Sequence, residues 1–189
     1  MDWIENIYTV IFRPKEAFKK LSDRKYLNSS LWILFLISII FALNISADLY
    51  FSLSKTILFV FITFISGSIL WIVMSIVMTF VSDLLKGEGR TTHTMIGWAY
   101  AHVPLLFIAP VTTLPNILGQ PGAILKIIIT TFIFFWICYL IVLSLSIVNN
   151  FSIRKSLYIL ILSISLIFGS GIFIITTFLA LGTMVITSL

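Results

Sequence analysis

Charged side chains are scarce in this chain beyond its first thirty residues. Aspartate, glutamate, lysine and arginine together make up 10% of the 189 residues, against about 25% in soluble domains. Of the 12 basic and 7 acidic residues, only nine lie between residues 31 and 189. A soluble domain of this length needs a charged surface, so the composition excludes one. It predicts a chain that is surrounded by lipid for most of its length.

Residue types that build catalytic and metal sites are also few. Cys138 is the single cysteine, so an intramolecular disulfide and a thiol-paired zinc or redox site are excluded. His93 and His102 are the two histidines, and no carboxylate stands at a ligand spacing from either. We therefore predict no catalytic residue, no metal and no cofactor, and we expect a protein that is not an enzyme.

Long apolar runs dominate the rest of the sequence, in which apolar residue types reach 60%. A helix that crosses the hydrocarbon core needs about 20 such residues. Because lipid offers no partner for backbone N–H and C=O groups, each crossing run must be helical. We predict an all-α, polytopic membrane helix bundle with five transmembrane helices, at about 31–50, 57–81, 95–118, 123–148 and 157–181. The first is expected to be a retained anchor, since the basic segment before it is too long for a signal peptide.

The third run allows two structures. Three prolines interrupt its backbone hydrogen bonding, and Asn116 and two threonines make it more polar than the other runs. It can be a kinked full span or a re-entrant hairpin that returns to its starting side. Length favours the kinked span, with breaks at Pro104, Pro110 and Pro115.

The basic residues predict the orientation. Ten of the twelve lysines and arginines lie in the segments 1–30, 85–94 and 149–156. Cytoplasmic loops carry an excess of lysine and arginine, so we expect a cytoplasmic N-terminus, an external C-terminus and a place in the cell membrane. A re-entrant third run would still place nine of the lysines and arginines on the cytoplasmic side and three outside. The same placement explains the net charge of +5 without nucleic-acid binding.

The first thirty residues differ from the rest, and we treat 1–30 as an interfacial, amphipathic, cytoplasmic segment before the membrane domain 31–189. Apolar residues recur there at helical spacing, and Pro14 can begin a second helix. The segment can lie on the membrane surface, cap the helix bundle or bind a partner protein. Four cations at this side are candidate contacts for lipid headgroups: Lys19, Lys20, Lys86 and Arg90.

His102 lies inside the third run. A titratable group at membrane depth suggests a functional site. The other interpretation, which we favour, is a neutral imidazole bonded to a backbone carbonyl that a nearby kink has freed.

Two stretches carry a family resemblance. Phe12–Leu21 reads FRPKEAFKKL and precedes the first span, while Gly87–Arg90 (GEGR) follows the second span and Gly97–Pro104 (GWAYAHVP) comes at the start of the third. With five spans and a cytoplasmic N-terminus, this pattern resembles the Yip domain family, whose eukaryotic members interact with Rab-type GTPases in vesicle traffic. The chain is most similar to the short prokaryotic branch of that family.

The resemblance is incomplete. The eukaryotic branch carries an Asp-Leu-Tyr-Gly-Pro motif before its membrane domain, whereas here Asp48-Leu49-Tyr50 stands at the end of the first span and continues with Phe51. GTPase binding is therefore not carried over. The resemblance implies the architecture and a membrane-shaping or scaffold role through Gly97, Tyr100 and Pro104.

Two functions follow from these observations. The first is a non-enzymatic membrane protein that organises membrane or partner proteins. Its partners would be membrane lipids, other membrane proteins or a second copy of the chain. The alternative is a small transporter, channel or lipid-translocating protein with its site at the broken third span, where His102 and Asn116 are the polar candidates.

Overall fold

The computed structural model describes residues 2–21 and 26–187, with side chains for 4–21, 26–47 and 49–171. Arg24 and Lys25, and the side chain of Asp48, lie outside this description. The described residues are helical and contain no strand. Their helices are α1 (Asp2–Phe12), α2 (Pro14–Leu21), α3 (Leu27–Asp48), α4 (Leu53–Leu84), α5 (Thr91–Ala101), a 3₁₀ helix (Val103–Phe107), α6 (Ile108–Thr112), α7 (Leu114–Leu118), α8 (Gln120–Val148) and α9 (Ile153–Thr187).

Five of these helical segments are long and apolar enough to cross a membrane, as predicted: Leu27–Ala47, Leu53–Leu84, Thr91–Leu118, Gln120–Val148 and Ile153–Gly171. Most helices extend past the apolar runs by several polar residues. α4 has 32 residues, or about 48 Å at 1.5 Å per residue, against a hydrocarbon core of about 30 Å. The ends of such a helix continue into the headgroup layers, where polar residues are solvated.

Three helices end in the same way. Tyr50, Lys86 and Asn150 follow α3, α4 and α8 with positive φ angles of 52°, 63° and 55°. In each case the next N–H bonds to the carbonyl five residues earlier, as in Phe51 to Ser46 at 3.0 Å. This left-handed C-terminal motif satisfies helix carbonyls that would otherwise lack partners. It also reverses the chain within four residues after α3 and α8 and within six after α4, so neighbouring spans are antiparallel.

The third segment runs along the whole length of α8. Gly97 near its start packs against Ser144, and Leu114 near its end packs against Gly122. These two contacts lie near opposite ends of α8, so the segment begins at one end of that helix and finishes at the other. A hairpin that returned to its starting side would begin and finish at the same end. The segment is therefore a kinked traverse made of four short helices.

The N-terminal helices pack on the bundle as a cap. α2 contacts α8 and α5, and α1 contacts the 3₁₀ helix. Glu5 Oε1 lies 3.4 Å from Lys20 Nζ, so the two helices fold back on each other around Arg13. Their inward side chains are buried in the core of the bundle: Val10, Ala17, Phe18 and Leu21.

Candidate functional site

Gly97 marks the closest approach of α5 to α8. A Cβ atom added to it would overlap Oγ of Ser144 and lie 3.1 Å from the Cβ of the same serine. A glycine opposite a small side chain lets two membrane helices pack with their backbones close together. Gly97 thus has a packing role at this position.

Tyr100 joins three parts of the molecule. Its side chain is fully buried, and its hydroxyl donates to Oγ of Ser29 at the start of α3, 2.9 Å away. The side chain of Asn6 on α1 lies beside the same hydroxyl and is itself buried. This contact ties the N-terminal cap to α3 and α5. Pro104 is buried one turn further, in the 3₁₀ helix.

His102 stands where α5 ends. Its amide N–H donates to the carbonyl of Ala99 rather than to that of Trp98. Nδ1 of the imidazole lies 2.7 Å from the carbonyl oxygen of Trp98. The structure thus contains the bond to a kink-freed carbonyl that the favoured interpretation predicted. A functional role for His102 stays a prediction.

Asn116 lies apart from these residues. It is exposed on α7, while Thr112 one turn earlier donates to the Oδ1 of Asn44 on α3. His102 instead lines a cavity between α3, α4 and α5. The two polar candidates of the third span therefore do not share one cavity.

Two connections interlock at the end of the bundle that carries most of the basic residues, which we call the basic end. In the α4–α5 connection, the N–H of Gly89 donates to Oδ1 of Asn149, 3.1 Å away. A Cβ on Gly87 would lie 2.7 Å from the same oxygen. The amide of Asn150 donates to Oε2 of Glu88 at 2.8 Å. A side chain at either glycine of the GEGR stretch would therefore clash with Asn149.

Lys155 closes the same interface from α9. Its Nζ donates to the carbonyl of Leu85, 2.7 Å away, and lies 3.7 Å from the centre of the Phe151 ring. The GEGR stretch bonds to Asn149 at the end of α8, the GWAYAHVP stretch packs on α8 at Ser144, and α2, which holds most of the FRPKEAFKKL stretch, also contacts α8.

The pattern of these stretches corresponds to a known family over nearly the whole chain. Residues 8–186 match the Yip1 domain family. The chain belongs to that family. No curated protein and no solved structure matches it.

In this Yip1 domain, the four candidate lipid-contacting cations lie at the basic end. Lys19 lines a surface depression of about 500 Å³ with residues from the end of α8 and the α8–α9 connection. Lys20 pairs with Glu5. Lys86 and Arg90 are exposed in the α4–α5 connection. Contact of these cations with lipid phosphate stays a prediction.

Sequence reasoning missed the partners that hold the Yip1-domain stretches in place. Asn6, Ser29, Asn44, Ser144 and Asn149 each contact a residue far away in the chain. None of them has a local pattern that would single it out, because small polar residues are also common at helix ends. Among residues 2–21 and 26–171, no group of three potential metal ligands comes together.

Proposed function

We propose that this membrane protein is a non-enzymatic organiser of the membrane that acts on the cytoplasmic leaflet through its N-terminal cap. The observation that carries the proposal is an exposed apolar stripe on α1. Ile4, Tyr8 and Phe12 stand four residues apart and are 61%, 61% and 66% exposed. Residues at this spacing lie on one face of a helix, and it is the face turned away from the bundle.

The position of α1 supports contact of this stripe with acyl chains. Ile11 lines a cleft of about 250 Å³ together with Phe107 and Trp136. Trp136 lies twelve residues before the end of α8, or roughly 18 Å along the helix. The end of α1 is thus beside the membrane-crossing part of the bundle, where an apolar stripe is stabilised by lipid.

The charges of the cap support an interfacial position. Lys15, Lys19 and Lys20 are exposed on α2, and each lysine near an anionic surface contributes about 1 kcal/mol of attraction. Arg13 and Glu16 pair at 3.7 Å beside the turn between the helices. A helix pair that inserts into one leaflet and attracts anionic headgroups would organise the lipid around the protein.

The transporter alternative has less support. It rested on the broken third span with His102 and Asn116 as its polar candidates, and these two residues face different surroundings. No second function is therefore proposed.

The depth of α1 is the first test. In a Cys138→Ala background, a fluorophore is attached to Tyr8→Cys, and the chain is reconstituted into liposomes. We expect quenching by spin labels on the acyl chains and protection from iodide in water. A label at Glu5→Cys on the polar side is the matched control and should be more open to iodide. A Tyr8 label that iodide quenches freely would overturn the proposal.

The organising activity is the second test. Liposomes with about one-third phosphatidylserine receive the wild-type chain or the triple variant Lys15→Gln, Lys19→Gln and Lys20→Gln. We expect the wild-type chain to enrich fluorescent phosphatidylserine around itself and the variant to lose most of that enrichment. Equal enrichment by both chains, or none by either, would contradict the proposal.

A further inference from the structure

A cavity that is open on one side lies between α3, α4 and α5, with the exposed side chains of Phe41 and Leu70 at its rim. Its volume is about 340 Å³, within the range of small-molecule sites. Most of its wall is aliphatic or aromatic, and the ring of His102 lies against it with the ring of Trp98. Ser38 on the α3 wall stands eleven residues from the start of that helix, or about 16 Å along it. The cavity is thus near the mid-depth of the membrane.

The imidazole of His102 presents a bare acceptor. Nδ1 bonds to the carbonyl of Trp98, and because a carbonyl only accepts, Nδ1 must carry the hydrogen. In the neutral ring Nε2 is then an acceptor. Within residues 4–21, 26–47 and 49–171, whose side chains are described, no donor bonds to Nε2.

Four polar groups of the cavity wall are already engaged. Nε1 of Trp71 donates to the carbonyl of Met95 at 2.7 Å. The hydroxyls of Ser38, Thr63 and Ser66 donate to carbonyls of their own helices at 2.8, 2.9 and 2.7 Å. None of these four groups has a hydrogen left for Nε2, and the indole N–H of Trp98, which also lines the cavity, makes no bond to it. Nε2 is therefore open to a donor from a molecule that enters the cavity.

Gly67 gives an independent indication of free space. It lines the same cavity, and a Cβ atom built on it meets no heavy atom within 4 Å. A side chain at position 67 would therefore extend into the open cavity without displacing a neighbour.

We infer that this cavity binds a neutral lipid or other hydrophobe that carries one hydroxyl group. The hydroxyl donates its hydrogen to Nε2 of His102, and the hydrophobic body lies among the aromatic and aliphatic side chains. A charged headgroup at this depth would be costly, and apolar cavities exclude water. Both arguments favour an uncharged molecule with a single donor. The inference does not depend on the N-terminal cap.

Photolabelling of the full chain in lipid nanodiscs tests this site. The probes are a long-chain alcohol with a photoreactive diazirine, its methyl ether and the matching hydrocarbon. Mass spectrometry locates the label. We expect the alcohol to label peptides from the cavity walls of α3 and α4 about ten times more than the ether, which lacks the donor.

Two variants separate the site from general lipid contact. His102→Phe keeps a ring but removes the acceptor, and should lower alcohol labelling to the level of the ether. Gly67→Leu fills the gap and should abolish labelling by all three probes. Gly169→Leu is the matched control. A Cβ atom there also meets nothing within 4 Å, but Gly169 lies on α9 and does not line the cavity.

Three outcomes would overturn the inference. Equal labelling by alcohol, ether and hydrocarbon would show that an ordinary acyl chain fills the gap. Alcohol labelling that survives Gly67→Leu would place the probe elsewhere, and absence of labelling would show that nothing enters. Should His102→Phe fail to fold, Gly67→Leu and the comparison of alcohol with ether still decide. Depth measurements on α1 can fail or succeed separately.

Discussion

The backbone N–H of Gly89 donates to Oδ1 of Asn149, a residue sixty positions later in the chain. Asn149 is 2% exposed, and its own amide donates to the carbonyl of Leu145 at 3.0 Å. One buried side chain therefore links the α4–α5 connection to the end of α8. Because of this link, the basic end is a single packed surface rather than separate loops.

Asn149→Ala should destabilise the protein by about 1–3 kcal/mol, since it leaves the N–H of Gly89 without its partner in a partly buried place. The measurement is the thermal unfolding midpoint in a mild detergent. Asn150→Gly is the control: it removes an exposed bond to Glu88 without straining the positive φ of this position, so we expect a loss of about 0.5 kcal/mol or less. Equal effects of the two variants would contradict a structural role for the buried link.

The sequence predicted the five spans because the requirement for long apolar helices in lipid leaves few alternatives. Thr91–Thr94, which the sequence suggested as part of a loop, instead form the first turn of α5. A polar residue of that turn bonds within the bundle: the hydroxyl of Thr94 accepts a hydrogen bond from the hydroxyl of Thr79 on α4, 3.1 Å away. Such contacts depend on which helices are neighbours, and spacing along one segment does not reveal that.

The cap was only half predictable. The spacing of Val10, Phe18 and Leu21 indicated amphipathic helices, but not the surface against which they pack. Tyr8 and Phe12 belong to a second apolar face, with ring centres 4.7 Å apart. Helical spacing of apolar residues in a sequence is normally interpreted as one apolar face. A helix that packs on protein with one side and on lipid with the other needs two such faces.

Gly97→Val should separate α5 from α8, because its added methyl groups would occupy the space of the Ser144 side chain. Overpacking of this kind typically costs about 1–3 kcal/mol. Combining it with Ser144→Gly should restore part of the loss, which a double-variant cycle in thermal unfolding measures. Gly169→Val, in open space on α9, is the control. Additive effects of Gly97→Val and Ser144→Gly would show that the two positions do not meet.

Lys86→Gly should stabilise the protein even though it removes a charge from the basic end. A left-handed conformation costs a residue with a Cβ atom about 1–2 kcal/mol, and glycine loses part of that gain through its more flexible unfolded state. We expect a net gain of about 0.5–1 kcal/mol in unfolding experiments. Asn150→Gly should change little, since asparagine tolerates this conformation well. A lower unfolding midpoint for Lys86→Gly would mean that the lysine side chain makes a stabilising contact.

Tyr100→Phe should loosen the N-terminal cap. The variant keeps the buried ring but loses the hydroxyl that bonds to Ser29 and lies beside Asn6, so we expect a loss of about 1 kcal/mol. The effect should be local: amide hydrogen exchange in α1 should accelerate several-fold, while exchange in the middle of α4 stays unchanged. Tyr8→Phe is the control: it removes a hydroxyl from an exposed ring on α1 and should leave the exchange rates in α1 unchanged. If Tyr100→Phe accelerated exchange equally in α1 and α4, the hydroxyl would support the whole bundle rather than the docking of its cap.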